Sequence, residues 1–461
     1  MPGELCEKLL DAAEKRSRYA EVRFMELEGS GAAYRNGSFE GAAYSRSYGY
    51  SVRVLNNSLA MSFSNSEDFS DLSSALDIAV RRSMLPGKSQ IATKSEGKKE
   101  WVVSGSKKVD NVSLEDKISM LKDNDSLMDS LGSRVRMNYL ADRKVKQVFM
   151  NSEGSEIRGE FTRVSYFYFA GILESGEFEQ STGEFGSTGG YEYFDSLDLP
   201  RHISDDIRAI RNAMHAGRLS PGKMDVVIGP EISGIVAHES AGHPTEYDRI
   251  VGREGALAGE SFLTGKKVPM KIGSEAVSVI DDPSMKGSYG FYVYDDEGIR
   301  SRKRYLYRKG YTDEFIHNRE SAARQGVEPN GGGRSSSWNM EPLPRMSTTY
   351  IEPGDHTFEE LLEGIKEGIY IKNFTEWNID DIRFNEKYVG KEAYRISNGK
   401  IAEQVRRPVI ETNTIKFYSA IDAVAREMEF FAGECGKGDP EQAVDVWMGG
   451  PHARLRGLYI Q

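Results

Sequence analysis

The sequence predicts an α+β fold, with an N-terminal α/β region that includes a β meander, followed by a strand-rich C-terminal domain. At 461 residues the chain is too long for one hydrophobic core. Hydrophobic residues make up 38% and charged residues 28% of the chain, the balance of an ordinary globular protein. The turn-forming residues 220–222 predict a boundary between domains 1–219 and 220–461, and a further split of the first domain is predicted near 100–112.

The elements of the first domain follow from changes of hydrophobic period. Ser113 is a suitable helix N-cap that Asp116 can reciprocate. The glycine- and serine-rich segment 183–193 predicts a flexible connection, and Gly217 is the expected cap of the helix before it. In order, the predictions are a helix over 4–16, strands over 20–25 and 50–54, helices over 69–80 and from 113 onward, a meander over 135–170 and a helix over 205–216.

The second domain is predicted from shorter signals. Residues 224–228 form an apolar strand, and Pro230 opens a helix at its first position. Asn398-Gly399 predicts a hairpin turn. The remaining predictions are extended segments over 276–281, 345–351 and 382–384, and a helix over 358–370.

Charge and cysteine content exclude several classes of protein. The formal net charge is −11 and the sequence pI is near 5.4, which argues against a nucleic-acid partner. Cys6 and Cys435 are the two cysteines, too few for a disulfide framework. The amphipathic start is not typical of a signal peptide, and no stretch is apolar enough to span a membrane. We therefore expect a cytoplasmic protein without a membrane partner.

The densest chemical motif is H-E-x-x-x-H, formed by His238, Glu239 and His243. In the H-E-x-x-H zinc peptidases, the two histidines lie four residues apart and share one helix face. A spacing of five separates the side chains by about 140° on a regular helix, so they could not meet at one ion. The helix must therefore be distorted. The bland alternative is two histidines at a helix end, one capping carbonyls and one buried in the core.

Two distortions would bring the histidines together. The helix can end near Ala241, with Gly242 turning the chain back through left-handed angles, or a one-residue π-bulge can restore the register. Pro244 favours the first, because it cannot continue a helix. A catalytic metal site typically has three protein ligands. Cys435, in a glycine-rich segment with Lys437 nearby to favour the thiolate, is the best third candidate, whereas Cys6 is expected in the core.

Residues from the boundary to the C-terminus resemble the TldD/PmbA family, and the first domain resembles it more loosely. Besides the H-E-x-x-x-H helix, the segments that carry the resemblance are Asp295–Gly298, Gly333-Arg334, Pro342–Met346, Gly368–Tyr370, Gly433–Lys437, Arg35–Gly37 and Gly49–Val54. The resemblance implies a dimeric metallopeptidase that degrades or trims unstructured peptides. It also implies either a homodimer or a heterodimer with a PmbA/TldE-like paralogue that lacks the motif. The chain departs from the family pattern at Gly438-Asp439-Pro440, which puts substrate choice in doubt.

The expected mechanism uses a divalent ion, Zn²⁺ by preference, held by His238, His243 and Cys435, because imidazole and thiolate together suit zinc. Glu239 is the expected general base. Arg334, with Gly333 before it, is the candidate to stabilise the oxyanion. An arginine in a surface loop, with no catalytic role, is an equally good interpretation of this residue. Substrate is expected to lie extended along a strand edge. The alternatives are a non-catalytic interaction protein with a structural metal, and a cysteine-nucleophile enzyme.

Overall fold

The computed structural model describes residues 2–254 and 259–461. Helices make up 24% and strands 43% of the chain, so the predicted α+β class is confirmed. The elements of the N-terminal half are α1 (Pro2–Glu14), β1 (Tyr19–Arg35), β2 (Ser38–Leu55), β3 (Leu59–Ser64), α2 (Phe69–Ser83), β4 (Lys98–Val103), α3 (Leu114–Ser130), β5 (Val135–Asn151), β6 (Glu156–Glu174), β7 (Glu177–Thr188), α4 (Glu192–Ser196) and α5 (Leu199–His215).

The C-terminal half has more strands than the N-terminal half, but most of them are shorter. Its helices are α6 (Pro230–Val236), α7 (His243–Thr245), α8 (Tyr247–Ile250), α9 (Arg319–Gln325), α10 (Phe358–Leu362) and α11 (Thr414–Ala420). Its strands are β8 (Gly222–Ile228), β9 (Val279–Asp281), β10 (Arg304–Arg308), β11 (Tyr311–Thr312), β12 (Gly333–Arg334), β13 (Leu343–Pro344), β14 (Thr348–Ile351), β15 (Glu367–Ile371), β16 (Phe374–Ile379), β17 (Asn385–Gly390), β18 (Ala393–Ser397), β19 (Lys400–Val405), β20 (Val409–Asn413), β21 (Ile421–Lys437) and β22 (Gln442–Ile460).

The N-terminal half is a single sheet of order β3-β2-β1-β5-β6-β4, with β7 added to β6. Its four longest strands have 17 to 19 residues, enough to support two separate helix layers. The helices α1 and α2 bury Leu9 and Leu76 against one part of the sheet, and α3 and α5 bury Leu121 and Ile207 against another. Helices α1, α2 and α5 each contribute a mainly apolar face, whereas α3 also buries Lys117, Asn124 and Asp125.

The C-terminal half is built on a sheet of order β11-β10-β9-β14-β22-β8-β15-β18-β19. Its central strand β8 pairs parallel with β15 and antiparallel with β22, so Val226 and Ile228 are completely buried. Helix α6 leaves the end of β8 and packs across β22. Within residues 2–254 and 259–461, every helix is too short or too polar to cross a lipid bilayer.

Several predicted elements are correct and their causes are visible. Ser113 and Asp116 form the expected capping box at the start of α3. Pro230 stands at the start of α6, and the turn between β18 and β19 has positive φ at Asn398 and Gly399. The helix expected over 205–216 begins earlier, because Asp198 accepts a hydrogen bond from the Arg201 N–H and caps α5 there.

The flexible connection expected over 183–193 is wrong. Residues 183–188 belong to β7, and the glycines accommodate aromatic rings. A Cβ on Gly183 would lie 2.3 Å from the Tyr168 ring, and one on Gly186 would lie 2.8 Å from the Tyr289 ring. Each of these strand glycines lies beneath an aromatic ring, so the glycines do not indicate a mobile segment.

Three other local predictions are also wrong. The helix expected over 358–370 ends at Leu362, because residues 367–371 complete a sheet strand beside β8. The segment 382–384 is a turn and not a strand. Gly217 does not cap α5, since Ala216 before it is extended and Gly217 bridges to Val405. The first and third of these outcomes depend on a partner that is distant in sequence.

The two halves are joined by buried ion pairs. Arg53 on β2 contacts Glu21 at 2.7 Å and also binds Glu297 of the C-terminal half. All three side chains are at most 7% exposed. Glu297 also accepts the backbone N–H of Arg319. Because a buried charge without its partner is costly, these contacts fix the halves against each other.

We predict that Arg53→Ala lowers the free energy of unfolding by about 3–5 kcal/mol, because Glu297 would remain buried without its cation. Urea unfolding followed by circular dichroism measures this loss. The matched control is Arg46→Ala on the same strand, whose exposed pair with Glu26 contributes about 0–1 kcal/mol. Equal losses in the two variants would contradict the role given to Arg53.

Candidate metal centre

The motif helix contains a π turn. Helix α6 ends at Val236, and residues 237–242 continue it as a π-helix. The N–H of His243 donates to the carbonyl of His238, five residues back. The extra residue in this turn returns His243 to the face of His238. The favoured expectation, a helix that ends near Ala241, is therefore wrong, and the π-bulge alternative is confirmed.

Gly242 serves close packing and not a left-handed turn. Its φ is −60°, within the helical range that any residue adopts. A Cβ at this position would lie 1.7 Å from the Met346 sulfur, so only glycine fits beneath that side chain. Pro244 lies within α7, which follows the π turn directly.

The structure brings the three candidate ligands together. One ligand atom from each of His238, His243 and Cys435 lies within 4.8 Å of the other two. The Cys435 sulfur is 3.5 Å from His243 Nε2, and the two imidazole centroids are 5.0 Å apart with nearly perpendicular planes. All three side chains are buried. Cys435 reaches the centre from β21, whereas Cys6 is buried in the N-terminal half, as expected.

Polar neighbours orient both imidazoles. His243 Nδ1 lies 3.0 Å from a carboxylate oxygen of Glu246, which also accepts from Arg249 at 2.7 Å. Since a carboxylate can only accept, Nδ1 carries the proton and Nε2 keeps a lone pair for a ligand. His238 Nδ1 lies 3.5 Å from the Thr349 hydroxyl. The interactions with Lys437, His243 and Arg249 together outweigh the effect of burial and hold the pKa of Glu246 well below its usual value.

The protonation states suit a metal. Burial lowers the pKa of His238 and of His243, which favours neutral imidazoles. Burial alone would raise the pKa of the Cys435 thiol, but His243 and the Arg345 guanidinium outweigh it and lower that pKa to about 7. Lys437, the cation expected to do this, instead binds Asp248 at 2.8 Å. Two neutral imidazoles and a thiolate fit a divalent ion such as zinc.

The centre lies in the wall of a large cleft. The cavity has a volume of about 880 Å³ and is lined by both halves of the chain, including Thr182–Phe185 of β7 and Phe431–Gly436 of β21. Glu239 lines it beside the two histidines. Burial raises the pKa of the Glu239 carboxyl, while the charges of His238 and Arg383 act in the opposite direction.

Arg334 and Gly333 are not brought to the centre. The Arg334 guanidinium donates to the backbone carbonyls of Met346 and Asp445, and it stacks on Tyr292. Arg334 lines a separate cavity of about 60 Å³ and not the cleft. Its backbone hydrogen bonds give it a packing role, so the structure does not support the oxyanion role considered for it.

A different arginine, Arg383, contacts the candidate base. Its Nη1 donates to the Glu239 carboxylate at 2.7 Å. Sequence reasoning missed it because the residue lies in a turn that was expected to be a strand. Glu246, three residues after His243, was also missed. The i, i+3 spacing of those two residues was the available signal.

Two imidazoles and a thiol that could hold a metal ion thus lie beside a helical glutamate, in a cleft between the two halves. Family models described as PmbA/TldA metallopeptidase match domain 1 at residues 20–85, the central domain at 107–214 and the C-terminal domain at 221–461. The chain therefore belongs to the PmbA/TldD family of metallopeptidases, and the resemblance found in the sequence is confirmed.

Relatives and solved structures agree with this assignment. A metalloprotease of Methanothermobacter thermautotrophicus is 31% identical over 453 residues, which cover 97% of this chain and 96% of the relative. A zinc metalloprotease TldD homolog of Saccharolobus solfataricus is 30% identical over 68% of each chain. TldE from Thermococcus kodakarensis has the same fold, with a TM-score of 0.78 at 16% identity over 99% of each chain. A Thermotoga maritima protein, described as a proposed modulator of a DNA gyrase, has a TM-score of 0.79 at 16% identity over the full length of both chains.

We predict that Gly242→Ala lowers the free energy of unfolding by about 1–3 kcal/mol, because the new methyl group overlaps the Met346 sulfur. Urea unfolding measures the loss, which should shrink in a Met346→Ala background. Gly217→Ala is the control, since a Cβ there meets nothing within 4 Å. An equal loss in both backgrounds would contradict the proposed overlap.

We predict that Cys435 of the metal-free protein is alkylated by iodoacetamide with half-maximal rate near pH 7, the pKa to which its neighbours lower the thiol. Cys6 should require a much higher pH, because burial raises its pKa to about 12. Mass spectrometry of the digested protein follows both sites. Coincident pH profiles for the two cysteines would contradict this electrostatic account.

Proposed function

We propose that this protein is a metal-dependent peptidase that hydrolyses unstructured peptides or trims small proteins. The observation that carries the proposal is the convergence of His238, His243 and Cys435 within 4.8 Å in the wall of the cleft, beside Glu239. These three residues would hold the ion, Zn²⁺ by preference. When bound, the ion would lower the pKa of a water molecule and polarise the scissile carbonyl.

Glu239 is the proposed general base. Its carboxylate lines the cleft one residue after His238, and Arg383 holds one of its oxygens at 2.7 Å. It would take a proton from the attacking water and pass that proton to the leaving amine. Arg383 restricts the rotation of this carboxylate and opposes the effect of burial on its pKa. Glu246 and Thr349 keep the two imidazoles in orientation.

The proposed substrate is an extended chain. Among the described residues, β21 pairs with β22 along one edge, and its other edge is bridged by His356 at Ala425, so the stretch nearer the centre has no second paired strand. Six consecutive residues of this strand, Phe431–Gly436, line the cleft. A peptide that adds to this edge would be held through its main chain, which accepts many sequences. An unfolded segment can adopt this extended conformation more readily than a segment within a folded domain, and this favours unstructured substrates.

The family resemblance implies a dimer as the working unit, and the solved TldE structure shares the fold of this chain. Either a homodimer or a heterodimer with a PmbA/TldE-like paralogue fits this proposal. The cytoplasmic location expected from the low cysteine content stays a prediction.

We predict that Glu239→Gln keeps the metal and lowers the turnover of an unfolded peptide by about 10²–10⁴-fold, the usual contribution of a general base. His238→Ala should lose both metal and activity. Elemental analysis by mass spectrometry gives the metal content, and a fluorogenic peptide gives the rate. Glu427→Gln, an exposed position of β21 outside the cleft, is the control and should change neither quantity.

The same measurements separate the alternatives. A non-catalytic interaction protein with a structural metal would bind the ion and cleave no peptide, with or without a chelator. A cysteine-nucleophile enzyme would be inactivated by alkylation of Cys435 while the metal stays bound. Parental activity in Glu239→Gln would show that Glu239 is not the base.

A further inference from the structure

Arg383 has a backbone conformation that arginine rarely adopts. It lies in the turn between β16 and β17 with φ +63°. The turn is held by Asp380, whose side chain accepts the Phe384 N–H at 2.7 Å and whose carbonyl accepts the Arg383 N–H at 2.9 Å. The Thr414 hydroxyl lies 3.3 Å from the Arg383 carbonyl and donates to it. A side chain held at the cost of backbone strain, in a cleft, points to a functional requirement.

The guanidinium of Arg383 has more N–H donors than its contact with Glu239 uses. It has five N–H donors, and Nη1 donates one hydrogen bond to the Glu239 carboxylate at 2.7 Å. Its Nε is buried and has no acceptor among the described residues. A buried donor without a partner is unfavourable. Arg383 lines the cleft and is 14% exposed, so a bound peptide can reach it.

We propose that Arg383 is a catalytic residue that donates to the scissile carbonyl oxygen of the substrate as negative charge develops there. This inference rests on the proposed peptidase function. Water adds to the carbonyl carbon, its proton passes to Glu239, and the carbonyl π electrons move onto the oxygen that Arg383 holds. When the carbonyl re-forms, the C–N bond breaks and the proton on Glu239 moves to the amine nitrogen. One guanidinium would thus position both the base and the oxyanion.

The test compares Arg383→Met and Arg383→Lys with Arg407→Met. Arg407 is a matched control, because it also has positive φ, at +46°, and lies outside the cleft. We expect kcat to fall by about 10²–10³-fold in Arg383→Met, as for loss of an oxyanion donor, with KM and metal content unchanged. Arg383→Lys keeps the charge and should retain part of the rate. Arg407→Met should behave as the parent.

Two further measurements distinguish contact with the substrate from a structural role. Added guanidinium ion should raise the kcat of Arg383→Ala and leave that of Arg407→Ala and Glu239→Gln unchanged. The Kd of a phosphinic peptide, which carries a tetrahedral anion, should rise in Arg383→Met by about the factor by which kcat falls. The Kd of an uncleaved peptide, measured in a Glu239→Gln background, should stay the same.

Three outcomes would overturn the inference. Parental kcat in Arg383→Met, with an active wild-type protein, would refute the role of Arg383 and leave the peptidase function standing. A rise in KM confined to peptides with a free C-terminal carboxylate, absent for amidated ones, would assign Arg383 to that carboxylate instead. No cleavage by the metal-loaded wild-type protein would refute the proposed function and with it this role.

Discussion

The candidate centre depends on one extra residue in a helix. Two histidines five residues apart diverge on a regular α-helix, and the π turn over residues 237–242 is what restores them to one face. A π turn is tolerated only where its surroundings hold it. Here the Met346 sulfur occupies the space where a side chain of residue 242 would stand, and the Thr245 hydroxyl donates to the Ala241 carbonyl at 2.8 Å. The helix geometry and the packing around it therefore determine each other.

Several buried charged side chains surround this turn. Glu246 is fully buried, yet it contacts His243, Arg249 and Lys437 within 3.2 Å. Without Arg249 and Lys437 its carboxylate would be too costly to bury, and without the carboxylate His243 would have no fixed tautomer. Arg345, also fully buried, donates to the carbonyl of Cys435 and helps to ionise its thiol. The same network thus stabilises the fold and prepares neutral imidazoles and a thiolate.

The cleft exists because the two halves meet at a rigid interface. Buried pairs such as Arg53–Glu297 fix the long N-terminal sheet against the C-terminal half, and Arg163 reaches across to Asp445 of β22. As a result β7 lines the cleft together with the motif helix and β21. The N-terminal half therefore contributes to the shape of the candidate active site, although the proposed metal ligands lie in the C-terminal half.

Local signals in the sequence were enough for the α+β class, the capped start of α3 at Ser113 and the H-E-x-x-x-H motif, because the causes of these features lie within a few residues. Cys435 was found through small neighbours and a family resemblance. The choice of a π turn, the ion network of Glu246 and the contact of Arg383 with Glu239 were decided by tertiary structure alone. Their causes are Met346, Lys437 and a turn closed by Thr414, each tens to hundreds of residues away from what it positions. The hydrophobic periodicity of the sequence cannot predict such contacts, because they arise only when distant elements pack together.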